Sequence, residues 1–170
     1  MKIFKRSLSL TIVILALLVW TPAWVSASEI VPGRSCNGIR IGDTQEAVKV
    51  HLGAPAEKHT ISGSETWTYY LCDRGIIMGI QWNSQRKVQG VNLLSMTIPP
   101  SDKVRQWARN TNTATSKGIT LGTSLRDVTA KMGQPYMKDK SKHGIELVYK
   151  GMSVYVQDDV VFYLRVTADF

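Results

Sequence analysis

The chain has 170 residues, 21 of them basic and 13 acidic, for a net charge of +8, with 44% apolar residues and only two cysteines. That length and apolar content suit one domain or two small ones and exclude a disordered tail or a disulfide-dense miniprotein. No Lys/Arg run exceeds two residues, so the positive charge has none of the clustering that nucleic acid binding needs.

Lys2, Lys5 and Arg6 precede an apolar run from about Leu8 to Trp20, and Pro22 and Val25-Ser26-Ala27 follow it. This order is that of a secretory signal peptide over 1–27, with cleavage expected after Ala27. The apolar core is shorter than the roughly 20 residues of a membrane span, although an uncleaved anchor is the alternative. Cys36 lies well past the apolar run, so the chain carries no lipobox there. Removing 1–27 leaves 18 basic and 13 acidic residues, a net charge of +5. Such a charge serves solubility first; attraction to an anionic wall or membrane surface is the functional reading.

From residue 38 the chain uses one stretch twice, 80 residues apart. Gly38-Ile39-Arg40-Ile41-Gly42 with Asp43-Thr44 leads to Leu52-Gly53-Ala54-Pro55. Gly118-Ile119-Thr120-Leu121-Gly122 with Thr123-Ser124 leads to Met132-Gly133-Gln134-Pro135. Both fit G-I-x-[I/L]-G-x-[T/S]-x-x-x-V-x-x-x-[L/M]-G-x-P, with Val48 answering Val128. Each copy reads as a strand entry, a capped helix and a stop. Asp43 or Thr44, and Ser124 with Asp127, satisfy the first free helical N–H groups. Val48 and Leu52, and Leu125, Val128 and Met132, give each helix an apolar face. Gly53 and Gly133 end the helices, and Pro55 and Pro135 forbid continuation. The glycine spacing matches neither dinucleotide nor Walker loops, so these glycines are structural and no cofactor is expected.

Strand chemistry follows each proline. Glu65 to Cys72, Ile76 to Trp82 and Val88 to Leu94 form three strands of the first unit. Glu146 to Tyr149, Met152 to Gln157 and Val160 to Val166 form those of the second. His59 falls in a polar loop. Tyr69 and Tyr149 keep the 80-residue offset. The expected fold is therefore α+β: two tandem units, each a short helix on a three-stranded antiparallel meander, joined in one continuous sheet. The boundaries are 28–98 for the first unit, 99–117 for a connecting helix and flexible linker, and 118–170 for the second. Val104 and Trp107 share a face of the connecting helix, on which Trp107 docks.

Cys36 and Cys72 both fall in the first unit, and in an oxidising compartment a pair suggests a disulfide, two reduced buried thiols being the alternative. Strand alternation assigns faces. Val154, Val156, Val160, Phe162, Leu164 and Val166 form a core face, leaving Tyr155, Gln157, Tyr163 and Arg165 on the other. Trp67, Tyr69 and Leu71 likewise turn inward with Ile76, Met78, Ile80 and Trp82, leaving Thr68 and Tyr70 outward. Tyrosines with Gln and Arg on an open sheet face have the composition of a protein-binding surface, although a solvated face can look the same. The candidate partner-binding residues are Tyr70, Tyr155, Gln157, Tyr163 and Arg165.

The repeated helix motif, followed by W-x-Y or L-x-Y strands, resembles two related groups. One is the small envelope-assembly lipoproteins of the SmpA/OmlA type, together with the tandem β-lactamase inhibitory proteins; the other is the CAP-associated N-terminal domain of secreted Gram-positive proteins, whose series is matched by Gly53-Ala54-Pro55, Trp67-Thr68-Tyr69 and Val88-Gln89-Gly90. The resemblance covers most of 38–170 and implies a helix-plus-sheet fold that binds other exported or envelope proteins. It carries over no catalytic residue. Independently, His51, His59 and His143 sit singly, without metal-ligand spacing, and no nucleophile elbow is present. Asp158-Asp159 reads as a turn. The expectation is a secreted, non-catalytic binding module without cofactor or metal.

Overall fold

A computed structural model describes residues 29–61, 63–110 and 113–168; the expected signal peptide lies outside them. A short hairpin of β1 (Ser35–Cys36) and β2 (Ile39–Arg40) leads into helix α1 (Gln45–Leu52). Strands β3 (Glu57–Ile61), β4 (Ser64–Leu71), β5 (Ile76–Trp82) and β6 (Val88–Ser95) follow. Helices α2 (Asp102–Asn110) and α3 (Leu125–Met132) come next, then β7 (Met137–Ser141), β8 (Gly144–Tyr149), β9 (Met152–Gln157) and β10 (Val160–Thr167). The last eight strands form one antiparallel sheet in the order β3-β4-β5-β6-β10-β9-β8-β7.

The fold is thus α+β, with one large sheet as expected. Four consecutive strands, not three, lie on each side of its centre. The added strands are β3 and β7, the outermost two. β7 is exposed along all five residues, and β3 holds only Glu, Lys, His and Thr up to its last position. An edge strand open on both faces carries no hydrophobic alternation, so the pattern that reveals its neighbours is silent here. His59 accordingly sits in a strand, opposite Thr66.

The helix caps match the sequence. Thr44 Oγ1 accepts from Ala47 N at 3.2 Å, and Ser124 Oγ accepts from Asp127 N at 3.0 Å. Gly53 and Gly133 close the helices at φ of 81° and 78°, where a side chain would be strained. Tyr69 and Tyr149 each donate a hydroxyl to the carbonyl of that glycine, both at 3.4 Å. Each helix end is therefore tied to the strand beneath it by a residue 16 positions on.

The core lies between the helices and one face of the sheet. It holds Val48, Trp67, Tyr69, Ile76, Met78, Ile80 and Trp82 from the first half, with Val128, Leu147, Tyr149, Val154 and Val156 from the second. Val104, Trp107 and Ala108 bury the inner side of α2, which Ser101 opens by accepting from Val104 N. In β10 the core residues are Val161, Leu164 and Val166; Val160 and Phe162 are only half-buried. A register shift between Val161 and Tyr163 against β9 explains this correction. One extra residue flips the parity before it and leaves Tyr163 and Arg165 on the expected face.

Residues 113–120 are packed, where a flexible linker was expected up to 117. Thr113 and Thr115 are buried, Thr115 Oγ1 accepts from Ile119 N at 3.1 Å, and Thr120 Oγ1 donates to Thr113 O at 2.6 Å. Ile30, fully buried, donates its N–H to Ala114 O at 3.0 Å, which fastens the N-terminal segment to this connection.

Cys36 and Cys72 are both free thiols, against the expected disulfide. Cys36 belongs to the N-terminal hairpin and is turned into the core at 1% exposure. Cys72 stands in the exposed turn after β4, its carbonyl accepting from Lys103 Nζ at 3.2 Å. Sharing a sequence region does not place two residues on one side of a fold. Burial pushes the Cys36 thiol up to about 12, so it stays protonated and unreactive. A maleimide is expected to label Cys72 alone in the native protein and Cys36 only after denaturant is added, as read by mass spectrometry. Two protected cysteines in the native state would mean a pairing that this fold does not contain.

Candidate functional site

The face of the sheet turned away from the helices carries the candidate residues. Cross-strand register lines its side chains up in rows. One row runs Glu146, Tyr155, Tyr163, Leu94, Ile77, Tyr70, taking one residue each from β8, β9, β10, β6, β5 and β4. The next runs Val148, Ser153, Arg165, Asn92, Gly79, Thr68, and a third runs Thr167, Gly90, Gln81, Thr66, His59. Most of these residues are half-buried or exposed, Thr66 and Gly90 being the buried ones.

Arg165 stands near the middle of this array, beside the junction of β6 and β10. Its Nη2 donates to Gln81 Oε1 at 2.8 Å, across 84 residues of sequence. Its buried Nε has no partner among the described residues, nor do Asn92 Oδ1 and Thr66 Oγ1 on the same face. Buried polar atoms are usually satisfied, so three orphans within two rows make this part of the face the candidate site. Gly79 and Gly90 make room for it. A Cβ on Gly79 would stand 3.3 Å from Asn92 Nδ2, and one on Gly90 would stand 3.1 Å from Gln81 Oε1. Glycine in a strand interior weakens the strand unless something approaches closely; here Asn92 and Gln81 do.

Beside Arg165, Tyr155 and Tyr163 pack edge to face with ring centroids 4.7 Å apart. Burial holds the Tyr155 phenol well above its ordinary range, aided by its hydrogen bond to Glu146 and opposed by Arg165. Burial raises Tyr163 as well, with Arg165 pulling the other way. Both phenols are therefore neutral at any physiological pH. The site offers a guanidinium, the neutral Tyr163 hydroxyl and amide groups, a set that recognises polar backbone and carboxylates, while the Tyr155 hydroxyl is held by Glu146.

The structure thus brings Tyr155, Tyr163 and Arg165 together. Tyr70 shares their face but lies three strands from Tyr163, about 14 Å away at normal strand spacing. There its hydroxyl donates to Glu57 Oε1 at 2.9 Å, which raises the phenol and, with His59, lowers the Glu57 carboxyl. Gln157 ends β9 opposite Val160 and lines a cleft with Asp158 and Asp159, apart from the arginine. Thr66, Gln81, Asn92 and Glu146 complete the centre and were not among the sequence candidates. His51 is exposed beside Asn37 O at 3.3 Å, and His59 meets Glu57 Oε2 at 2.7 Å.

No protein-family model and no curated protein matches the chain. Its fold is similar to that of a DUF4309 family protein (YjgB) from Bacillus subtilis. That match has a TM-score of 0.55 and 10% identity, over 81% of this chain and 88% of the other. At that identity the likeness concerns the fold alone. The chain also aligns with an extracellular protein containing a SCP domain from Bacillus anthracis, with a TM-score of 0.48 and 14% identity, over 76% of this chain and 44% of that one. No helix among the described residues is long and apolar enough to cross a membrane.

Proposed function

We propose that this protein is an exported, non-catalytic binding module that grips another exported or envelope protein with the uncovered face of its sheet. It is built from two copies of one helix-plus-meander unit, set head to head at the β6–β10 junction. The observation that carries the reading is the Tyr155–Tyr163 pair beside Arg165 on that face, with the orphaned Arg165 Nε, Asn92 Oδ1 and Thr66 Oγ1. Tyr and Arg are the residue types that anchor protein interfaces, and buried unsatisfied groups are what a partner's backbone or carboxylate would complete.

The test is a capture from the export compartment with the wild-type chain and with the Tyr155→Ala/Tyr163→Ala double variant. The double variant is expected to lose the captured partner at least tenfold while still folding cooperatively at a lower melting temperature, since the half-buried area of two rings goes along with their contact, itself worth about 0.5–1.5 kcal/mol. Retention of the partner by a folded double variant would sink the reading.

A second reading rests on charge distribution. The open face carries Glu146 near Arg165 and Glu57 at its β3 edge, whereas Lys49, Lys58, Lys138 and Lys140 stand on the helix side. A basic helix side could hold the protein to an anionic wall or membrane surface while the other face binds. A wash at moderate salt during the same fractionation releases it if so, because exposed charges are screened within about 8–10 Å.

A further inference from the structure

One row of the open face is apolar over consecutive strands. Tyr155, Tyr163, Leu94, Ile77 and Tyr70 stand side by side on β9, β10, β6, β5 and β4. Each keeps surface in solvent, and Tyr70 is 44% exposed. Strands lie about 4.8 Å apart, so the row runs about 19 Å across the sheet. Met96 N donates to Gly75 O at 3.0 Å, which carries the β5–β6 ladder one step further. Two residues past Leu94 and 39% exposed, Met96 widens the apolar surface on the same face. The adjoining row differs, since Ser153, Arg165, Asn92, Gly79 and Thr68 are polar or lack a side chain.

The two ends of the row carry different charge. Beyond Tyr155 it continues through Glu146 on β8 to Asp139 on β7, and neither carboxylate is in an ion pair among the described residues. Beyond Tyr70 stands Glu57, which accepts from the Tyr70 hydroxyl at 2.9 Å and meets His59 at 2.7 Å. The result is a narrow apolar band with an unpaired negative end on the β7–β8 side.

We infer, on the reading of this face as a binding surface, that the row is a docking site for an amphipathic helix of the partner protein. The helix lies across the strands with its basic end over Glu146 and Asp139. Spacing selects the helix. It advances about 5.4 Å per turn, within about 0.6 Å of the strand step, so successive turns meet successive residues of the row. Side chains on one face of an extended chain recur about every 6.7 Å and fall out of step by about 2 Å per strand. From Glu146 on β8 to Tyr70 on β4 the span is about 24 Å, the length of a helix of about 16 residues. A second copy of the chain fits worse. A two-fold axis along the row would set Asp139 and Glu146 on themselves, and one across it would set them on Glu57.

The test is a methyl-labelled NMR titration of the protein with an alanine-based helical peptide of about 16 residues, carrying a leucine on each turn of one face and lysines at one end. Its companions are a scrambled peptide of the same composition, a peptide of alternating leucine and polar residues, and the helix with glutamates in place of its lysines. The helical peptide is expected to shift the methyls of Ile77, Leu94 and Met96 while those of Val128 and Leu147, on the other side of the sheet, stay in place. The scrambled peptide should shift none of them, and the glutamate version should bind about threefold to fivefold more weakly. Leu94→Thr should weaken the response about tenfold. Tyr70→Ala, at the exposed end of the row, should weaken it about threefold and decides the matter if Leu94→Thr does not fold. No shift at millimolar peptide, equal shifts with the scrambled peptide, or shifts centred on the helix side would each overturn the site. Tighter binding of the alternating peptide would overturn the helix in favour of an extended segment. Shifts of Ile77 and Leu94 that grow with protein concentration alone would give the row to a second copy. If the helical peptide fails while the Tyr155→Ala/Tyr163→Ala variant still loses its captured partner, the helix falls and the binding face stands.

Discussion

Replacing Trp67 by Ala is expected to destabilise the protein by about 3–5 kcal/mol, the range for deleting a fully buried aromatic from a core. Trp67 has no exposed surface and meets Trp82 edge-on, while its N–H donates to Glu65 at 2.7 Å. Truncation leaves a cavity under α1, strands Glu65 with one donor fewer, and removes the ring beneath Lys49 and Lys58. The melting temperature should fall by roughly 10 °C or more for a chain of this size. Leu147→Ala at the corresponding position should cost about 2–5 kcal/mol, the range for a smaller side chain that is equally buried. Differential scanning calorimetry of both variants checks the contrast. A larger loss at Leu147 than at Trp67 would mean that the second half, not the first, holds the fold together.

Much of the fold was legible because local chemistry and global packing agree in it. Thr44 and Ser124 cap, Gly53 and Gly133 stop, and Val48 and Val128 bury, each as its position in the repeated motif suggests. Tyr69 and Tyr149 show why the 80-residue register extends into the sheet: each hydroxyl holds the end of the preceding helix. What stayed hidden lacks periodicity. β3 and β7 are polar edge strands, and β1 and β2 are two residues each. The bulge at Val161–Tyr163 was invisible because Val160, Val161 and Phe162 are all good core residues, so alternation cannot choose among them. Cys36 was misassigned for a related reason. Pairing depends on where the N-terminal hairpin docks, and nothing within the hairpin encodes that.

The candidate site divides in the same way. That Tyr155, Tyr163 and Arg165 share one face is legible because they alternate with apolar neighbours in adjoining strands. Gln81, Asn92 and Thr66 escape a strand-by-strand reading because they stand in three different strands, and only the cross-strand register unites them. One sequence signal did point there: Gly79 and Gly90 are glycines inside strands, and both lie against the missing amides.

Arg165→Ala is expected to weaken the partner that the open face captures by roughly 30-fold or more, the effect of losing an anchor worth about 2 kcal/mol. The expectation follows from position and from unused capacity. Arg165 is flanked by Asn92 and Ser153 in register, holds Gln81 by one nitrogen at 2.8 Å, and buries an Nε that nothing in the described chain satisfies. Its loss should change folding stability by only about 1 kcal/mol, since one hydrogen bond disappears together with an orphaned donor. Arg165→Lys should not restore binding, because a point ammonium lacks the planar fork that engages a carboxylate or peptide group through two donors. Affinity for the captured partner by calorimetry, with thermal melts of each variant, separates the roles. Unchanged affinity with a large loss of stability would make Arg165 a strut between β5 and β10. Lost affinity in a normally melting protein is the result that a binding face requires.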